Sequence, residues 1–349
     1  MNRVIEEDVL KILEEFDLSR FDGTNILITG ATGLIGKNIS SLFLKYAERS
    51  SNPPQVWALV RNKNKAKITF SDFLQDPNLH FINCDIRDFH GNGVHFDHII
   101  HAASITDSKS FITNPVEIIE TAYSGTKNLL EIAKEKEVRN LIFLSTMEVY
   151  GNQKAESLLS ETHSCALDTM EVRSCYPESK RLCESLCASY ASEYGVPAKV
   201  IRLTQTIGPG VAYEDNRVFV QFGRCAIEKK DIVLHTKGET KRMYLYTADA
   251  VRAILAVMFH GKPGEAYNTA NDSSYCSIHE MAKTVADDIA CGGINVVFDI
   301  QDASKFGYAP VLYSKMDVSK LKSLGWTPKH SLQDMYERMI RSFELEKNG

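Results

Sequence analysis

No stretch of this chain stays apolar for anything near the roughly 20 residues that a membrane-spanning helix needs, so no spanning segment is expected. A dominant sign of charge is also missing. Lys and Arg number 40 against 45 Asp and Glu, a formal net charge of −5. That balance offers no basic footprint for nucleic acid or for an anionic membrane surface. The opening stretch "MNRVIEEDVLKILEEF" is acidic and amphipathic; it lacks the basic start and apolar block of a secretory signal. Eight cysteines are present, but none forms C-x-x-C. Cys183 and Cys187 stand four apart, on one face of a helix, with no His pair to complete a ligand set. Reduced thiols in a cytoplasmic protein are therefore expected, and neither a metal site nor a disulfide framework. Internal repeats and low-complexity segments are absent as well.

What is present is an ordinary globular composition, 44% hydrophobic and 24% charged over 349 residues. That suffices for one large domain or two coupled ones with a substantial core. Residues 1–22 read as a leading helical extension, because Val4, Ile5, Val9, Ile12, Leu13 and Phe16 recur at helical spacing. A strand, a glycine turn and a helix follow in "ILITGATGLIGKNISSLFLKYA". "VWALV", "LHFINCD", "HIIHAA", "LIFLS" and "AKVIRL" then read as buried strands, with amphipathic stretches over 115–136 and 177–194. Strands that are apolar throughout and alternate with helices imply a parallel sheet covered on both faces. The expected fold class is α/β: a Rossmann-type doubly wound parallel sheet over 23–208, with helices on both faces. Residues 209–349 read mainly as a smaller C-terminal α/β substrate-binding lobe that includes "AYNTA" and "INVVFDI". A helix near 247–259 is expected to return to the main domain.

Gly30, Gly33 and Gly36 fall in "GATGLIG". After a strand and at the opening of a helix, this spacing lets the backbone of the turn, with Thr32, Leu34 and Ile35, approach a dinucleotide pyrophosphate at the helix N-terminus. Close helix–strand packing is the other use of such glycines. The second strand ends in "RNKNKAK", with no acid to hold the adenosine ribose of NAD. Arg61, with Asn62, Lys63 and Lys65 beside it, suits the 2′-phosphate of NADP, so NADP(H) is expected over NAD(H). A merely solvated basic loop is the alternative. In "CDIRD", Asp85 and Ile86 are placed to meet an adenine ring, unless Asp85 only caps the turn. Ala102, Ala103 and Ser104 in "HAAS" are small enough to let a cofactor lie close.

"YPESK" places Tyr176 and Lys180 one helical turn apart, on one face. A tyrosine with its ordinary pKa of about 10 is a poor base at neutral pH, and a lysine cation beside it would lower that pKa. Such a tyrosine takes a proton from an alcohol as hydride leaves and returns it in reduction. Thr146, in "LSTMEVYG", follows the fifth strand on the same sheet edge and can hydrogen-bond the same substrate oxygen. His101 and His163 titrate near neutrality in principle, but a lone histidine is usually structural and neither is assigned a role.

Taken together, "TGATGLIG", "DIRD", "HAAS", "STMEVYG", "YPESK", "RLTQTIGPG", "DNRVF", "YTADAVRAI" and "LGWTPKHSL" give a sequence that resembles the extended short-chain dehydrogenase/reductase family, in particular its NAD(P)-dependent nucleotide-sugar epimerase/dehydratase branch. The resemblance runs from about Asn25 to Ser342. By motif it is similar to UDP-glucuronate decarboxylases and dTDP-glucose 4,6-dehydratases. It implies a nucleotide-diphosphate sugar as substrate, and Thr146, Tyr176 and Lys180 as catalytic residues, the last two also touching the cofactor. It further implies Gln205, Arg217 and Arg242 at the substrate, the two arginines beside the diphosphate. A homodimer through the helices near 115–136 and 177–194 is implied as well.

Departures from the family pattern narrow the chemistry. In the dehydratases an Asp and then a Glu follow the threonine; here Met147 occupies the acid position, and a thioether donates no proton. That disfavours 4,6-dehydration. The decarboxylases carry Ser there. Glu148 remains, either as a base or as a bystander carboxylate. Ala122 and Gln205 replace family asparagines. One enzymatic reading is a redox-neutral cycle that oxidises a sugar hydroxyl, alters the ketone and reduces it again. The other, favoured by Arg61, is a net NADPH-dependent reduction of a nucleotide-linked keto-sugar to an alcohol or polyol. A cofactor-sensing protein without activity is disfavoured by the retention of Thr146, Tyr176 and Lys180 together.

Overall fold

The computed structural model describes residues 1–300 and 311–348. Seven strands form the main sheet: β1 (Asn25–Thr29), β2 (Gln55–Val60), β3 (Leu79–Asn83), β4 (His98–His101), β5 (Asn140–Thr146), β6 (Ala198–Leu203) and β7 (Ala266–Thr269). Their order is β3-β2-β1-β4-β5-β6-β7, and every pairing is parallel. The doubly wound α/β fold expected from the sequence is therefore the fold observed. The order reverses between β1 and β4, which opens a crevice at the carboxyl ends of those strands, where ligands bind in sheets of this kind.

The apolar runs explain themselves in this frame. Side chains alternate across a strand, so a sheet buried on both faces needs apolar residues at every position. Ile26, Ile28, Ile100, Ile142 and Ile201 point into one core, shared with the leading helix Arg3–Glu15 and the helices Leu34–Ala47 and Thr247–His260. Leu27, Ile99, Leu141, Phe143 and Val200 point into the other, beneath the helices Pro115–Glu135 and Cys175–Tyr194.

The leading helix buries Val4, Ile5, Val9 and Ile12, as its spacing predicts. Asn2 caps it by accepting from the Val4 N–H at 3.0 Å. A buried carboxylate ties it down further: Asp8 accepts from the Tyr246 hydroxyl at 2.5 Å and from Arg338 at 2.7 Å, Arg338 belonging to the closing helix Leu332–Asn348. The Thr247–His260 helix packs back on β5 and β6, as expected.

A second sheet is built around the strand Lys241–Tyr246. Asn271–Ser277 pairs with it antiparallel, while Gln205–Ile207 and Tyr313–Met316 pair parallel; Leu158–Leu159 continues the sheet beyond Tyr313–Met316. The division of the chain is less sequential than expected. "AYNTA", grouped from the sequence with the second lobe, supplies β7, pairing Ala266 with Val200 at the edge of the main sheet. Conversely, Leu158–Leu159 and Gln205–Ile207, within the stretch 23–208 read as the main domain, belong to the second sheet. "INVVFDI" forms Val296–Phe298, which pairs with Ile232–Leu234.

Candidate active site

The turn after β1 is shaped by two close approaches. Gly30 sits at φ +63°, and a Cβ there would lie 2.6 Å from the carbonyl carbon and oxygen of Ala102. The turn thus lies directly against the end of β4. A Cβ on Gly36 would run into the Gly30 carbonyl oxygen, so the helix Leu34–Ala47 packs tightly on the turn. Gly33 is the residue before that helix and donates its N–H to the Gly30 carbonyl at 2.8 Å. The result is a bare backbone cradle at a helix N-terminus, which fits a dinucleotide diphosphate.

Two adjoining cavities open from this cradle, and Gly30, Thr32, Gly33, Ala102 and Ser104 line both. The first, of about 250 Å³, extends past Arg61, Ile86 and Ala103. The second, of about 410 Å³, passes Leu34, Ile35 and Gly36 to reach Thr146, Glu148, Tyr176, Lys180, Gln205 and Arg217. Most of the residues singled out from the sequence therefore meet in one continuous cleft. Asp85 and Arg242 line neither cavity. Asp85 accepts from the backbone N–H and the Nε of Arg87, both at 2.9 Å. Arg87 holds its carboxyl below the usual range, so Asp85 caps its own turn. Arg242 lies on the second sheet, its backbone paired with Cys276 and Ser314.

At the far end of the second cavity, Tyr176 is buried and stacks on Phe111. Burial pushes its pKa up, and the charge of Glu148 adds to this. Hydrogen bonding by the hydroxyls of Thr146 and Ser104, and the charge of Arg173, pull the other way. Thr146 ends β5 and caps the short turn Met147–Tyr150, accepting from the Glu148 N–H at 3.2 Å. Lys180 donates to the Leu144 carbonyl at 2.8 Å and lies over the Phe143 ring at 4.6 Å. Burial holds its pKa down to about 8. The Lys180 ammonium is turned to the Leu144 carbonyl, and with burial the larger influence the net shift of Tyr176 is upward.

Glu148 is not a free carboxylate: it pairs with Arg173 at 2.9 Å. Arg173 also lies 5.0 Å over the Phe111 ring. Met147 is buried, its sulfur 3.3 Å from the Thr204 hydroxyl, which donates to the Met243 carbonyl at 2.5 Å. Arg217 is occupied by Asp215 at 2.7 Å. Arg61 is only loosely engaged, 3.9 Å from Glu117. Phe111 and Arg173 were not found from the sequence. For Arg173 the available signal was its place three residues before Tyr176. For Phe111 there was none, because its position depends on the path of the 102–110 loop.

Comparison with known proteins identifies the family and the fold. The sequence model of the NAD dependent epimerase/dehydratase family matches residues 26–270. UDP-glucuronic acid decarboxylase 1 of Xenopus tropicalis is 28% identical, covering 94% of this chain and 74% of that protein. The crystal structure of UDP-glucose 4-epimerase from Thermotoga maritima with UDP-glucose superposes with a TM-score of 0.79 at 22% identity, covering 93% of this chain and 99% of that one. UDP-glucuronic acid 4-epimerase from Bacillus cereus, in complex with UDP-glucuronic acid and NAD, gives a TM-score of 0.76 at 21% identity, covering 93% and 100%.

Proposed function

We propose, since the chain belongs to the NAD dependent epimerase/dehydratase family, that it modifies a nucleotide-diphosphate sugar by hydride transfer, with Tyr176 as the acid/base. The observation that carries this reading is the placement of Tyr176 beside Thr146 and Ser104, in a cleft continuous with the glycine cradle. The nicotinamide cofactor supplies the hydride acceptor and donor. The protein's part is to hold the sugar hydroxyl against Tyr176, with Thr146 sharing its oxygen, and to move the proton there. The burial that raises the pKa of Tyr176 keeps the phenol protonated until a substrate oxygen and a cofactor charge are in place.

Met147 sets which member of the family's chemistry is read here. A thioether donates no proton, so expulsion of a sugar hydroxyl lacks its acid. A redox-neutral cycle of epimerase or decarboxylase type fits this site better. Glu148, fixed by Arg173, is placed to act on the oxidised sugar. The relatives make uronic-acid and hexose nucleotide sugars the first to try. Arg217 is the cleft arginine for the diphosphate, reached by exchanging its bond to Asp215 for the phosphate oxygens.

NADP(H) is the proposed cofactor over NAD(H). Arg61 and Lys65 line the cavity at the end of β2, and no acid stands there to hold a free ribose. A cytoplasmic homodimer is also proposed. Val116, Ile119 and Tyr123 are exposed at helical spacing on Pro115–Glu135, and Leu182 is exposed on the helix it packs against.

Product formation from a nucleotide sugar with no lasting change in nicotinamide absorbance is the expected result. Consumption of NADPH in proportion to product would replace the cycle with a net reduction.

A further inference from the structure

A buried ion pair lies behind the cleft and takes no part in the chemistry proposed above. Glu184 stands on the Cys175–Tyr194 helix, one turn beyond Lys180 and two beyond Tyr176, so the three share a face. Arg202 stands on β6. Their side chains are only 11% and 13% exposed. Arg202 Nε donates to Glu184 Oε1 at 3.0 Å, and its Nη2 donates to Oε2 at 2.6 Å. Ser145, the neighbour of Thr146, donates its hydroxyl to Glu184 Oε1 at 2.5 Å. The last arm of Arg202 donates to the Tyr150 hydroxyl at 3.0 Å and to the Glu161 carbonyl at 2.8 Å. The carboxylate is thus gripped from two strands and cannot rotate away from the helix face it shares with Lys180.

Stability does not explain such a pair. Taking two charges out of water costs several kcal/mol per ion, and well-packed apolar residues of the same volume are often as stable or more so. Its surroundings give another reason. Titratable groups around Lys180 are Tyr176, Cys183, Glu184 and Cys187 on its own helix and His101 from β4, and its ammonium donates to the Leu144 carbonyl of β5. Burial pushes both thiols up and His101 down, so all three are neutral near pH 7. Glu184 is the group in this set that carries a negative charge.

We propose that Glu184 is a positioning residue for Lys180: its carboxylate, aimed by Arg202 and Ser145, keeps the buried amine an ammonium. What Lys180 then does in turnover rests on the function proposed above, but the charge itself is tested without turnover.

The test is an NMR titration of the Lys180 side chain in ¹³C-lysine-labelled protein, assigned with Lys180→Arg. Wild type is compared with Glu184→Gln and with the double variant Glu184→Met/Arg202→Leu. The wild-type midpoint is expected at about 8. Without the carboxylate it falls by about one unit or more, a tenfold loss of ammonium at a given alkaline pH. The fall is expected in both variants, while the double variant keeps a melting temperature near wild type because no charge is left unpaired. An unchanged midpoint in either folded variant overturns the proposal. So does a fall in Glu184→Gln that the double variant reverses, since stranded Arg202 would then be the cause. If Glu184→Gln does not fold, the double variant decides alone. A failure of the proposed function shows separately, as full turnover by Tyr176→Phe.

Discussion

The ring of Phe111 lies face to face on the ring of Tyr176, with centroids 4.4 Å apart and planes 11° from parallel. Phe111 comes from the short helix Ser110–Thr113 that follows β4, and Tyr176 from the first turn of the Cys175–Tyr194 helix. A residue with no polar atom therefore sets the orientation of the proposed acid/base, and the same ring carries Arg173 on its edge of the stack.

Replacing Phe111 should separate stability from orientation. Phe111→Ala removes a buried ring and should cost about 3 kcal/mol of folding stability. Phe111→Leu keeps most of the volume but loses the stack, worth about 1 kcal/mol. It should lower kcat about fivefold while leaving cofactor affinity unchanged. A Phe111→Leu enzyme with wild-type kcat would show that the stack does not orient Tyr176.

Gly30→Ala should be worse than an ordinary glycine substitution. It forces a Cβ into φ +63° and to within 2.6 Å of the Ala102 backbone. The left-handed conformation alone costs about 1–2 kcal/mol, and the contact displaces β4 from the turn. Calorimetry should find cofactor binding lost or weakened at least tenfold. Binding at wild-type affinity would mean that the cradle does not hold the diphosphate.

Arg61→Ala bears on cofactor choice. A charge-assisted bond to a phosphate is worth about 1.5–3 kcal/mol, so affinity for NADP(H) should fall roughly 10- to 100-fold, with NAD(H) almost unaffected. Equal losses for the two cofactors, or tighter NAD(H) binding by wild type, would remove the assignment of NADP(H).

Acid lability should come from two buried histidines. Burial lowers His98 to about 4 and His101 to about 3. His101 is held between the hydroxyls of Thr29 and Thr126 at 2.9 and 3.1 Å, and His98 is nearly inaccessible. Between these values and the unfolded value of about 6.5, the unfolded chain binds protons that the folded one does not. Stability therefore rises with pH across this window and is lost as pH falls from about 6.5 toward 4. His101→Gln should flatten the fall of melting temperature over that range. An unaltered profile would place the acid sensitivity elsewhere.

How much of this was legible in the sequence follows from which physical constraints act locally. Gly30 and Gly36 were readable because close backbone approaches allow no other residue at those two positions. The strands were readable because two-sided burial demands unbroken apolar runs. β7 was grouped with the second lobe. Its short run holds the fully buried Asn268, whose polarity hides a core strand and whose side chain is satisfied by Tyr150, Leu159 and Asp317. Spacing placed Tyr176 and Lys180 on one face, but it does not say where a four-carbon side chain ends, and Lys180 reaches Leu144. Phe111 and the Glu148–Arg173 pair depend on loop paths that no local pattern encodes. Asp85 bonds the Arg87 backbone and guanidinium of its own turn, a local contact that the motif position alone does not predict.

The most direct test is turnover by Tyr176→Phe beside wild type. Each is incubated with UDP-glucuronic acid, UDP-glucose and related nucleotide sugars and with NADP or NAD, with nicotinamide absorbance and product NMR followed together. Wild type should form product with no lasting change in cofactor. Tyr176→Phe should bind cofactor as wild type does yet turn over about 10²–10⁴-fold more slowly. Turnover by Tyr176→Phe at the wild-type rate would contradict the account.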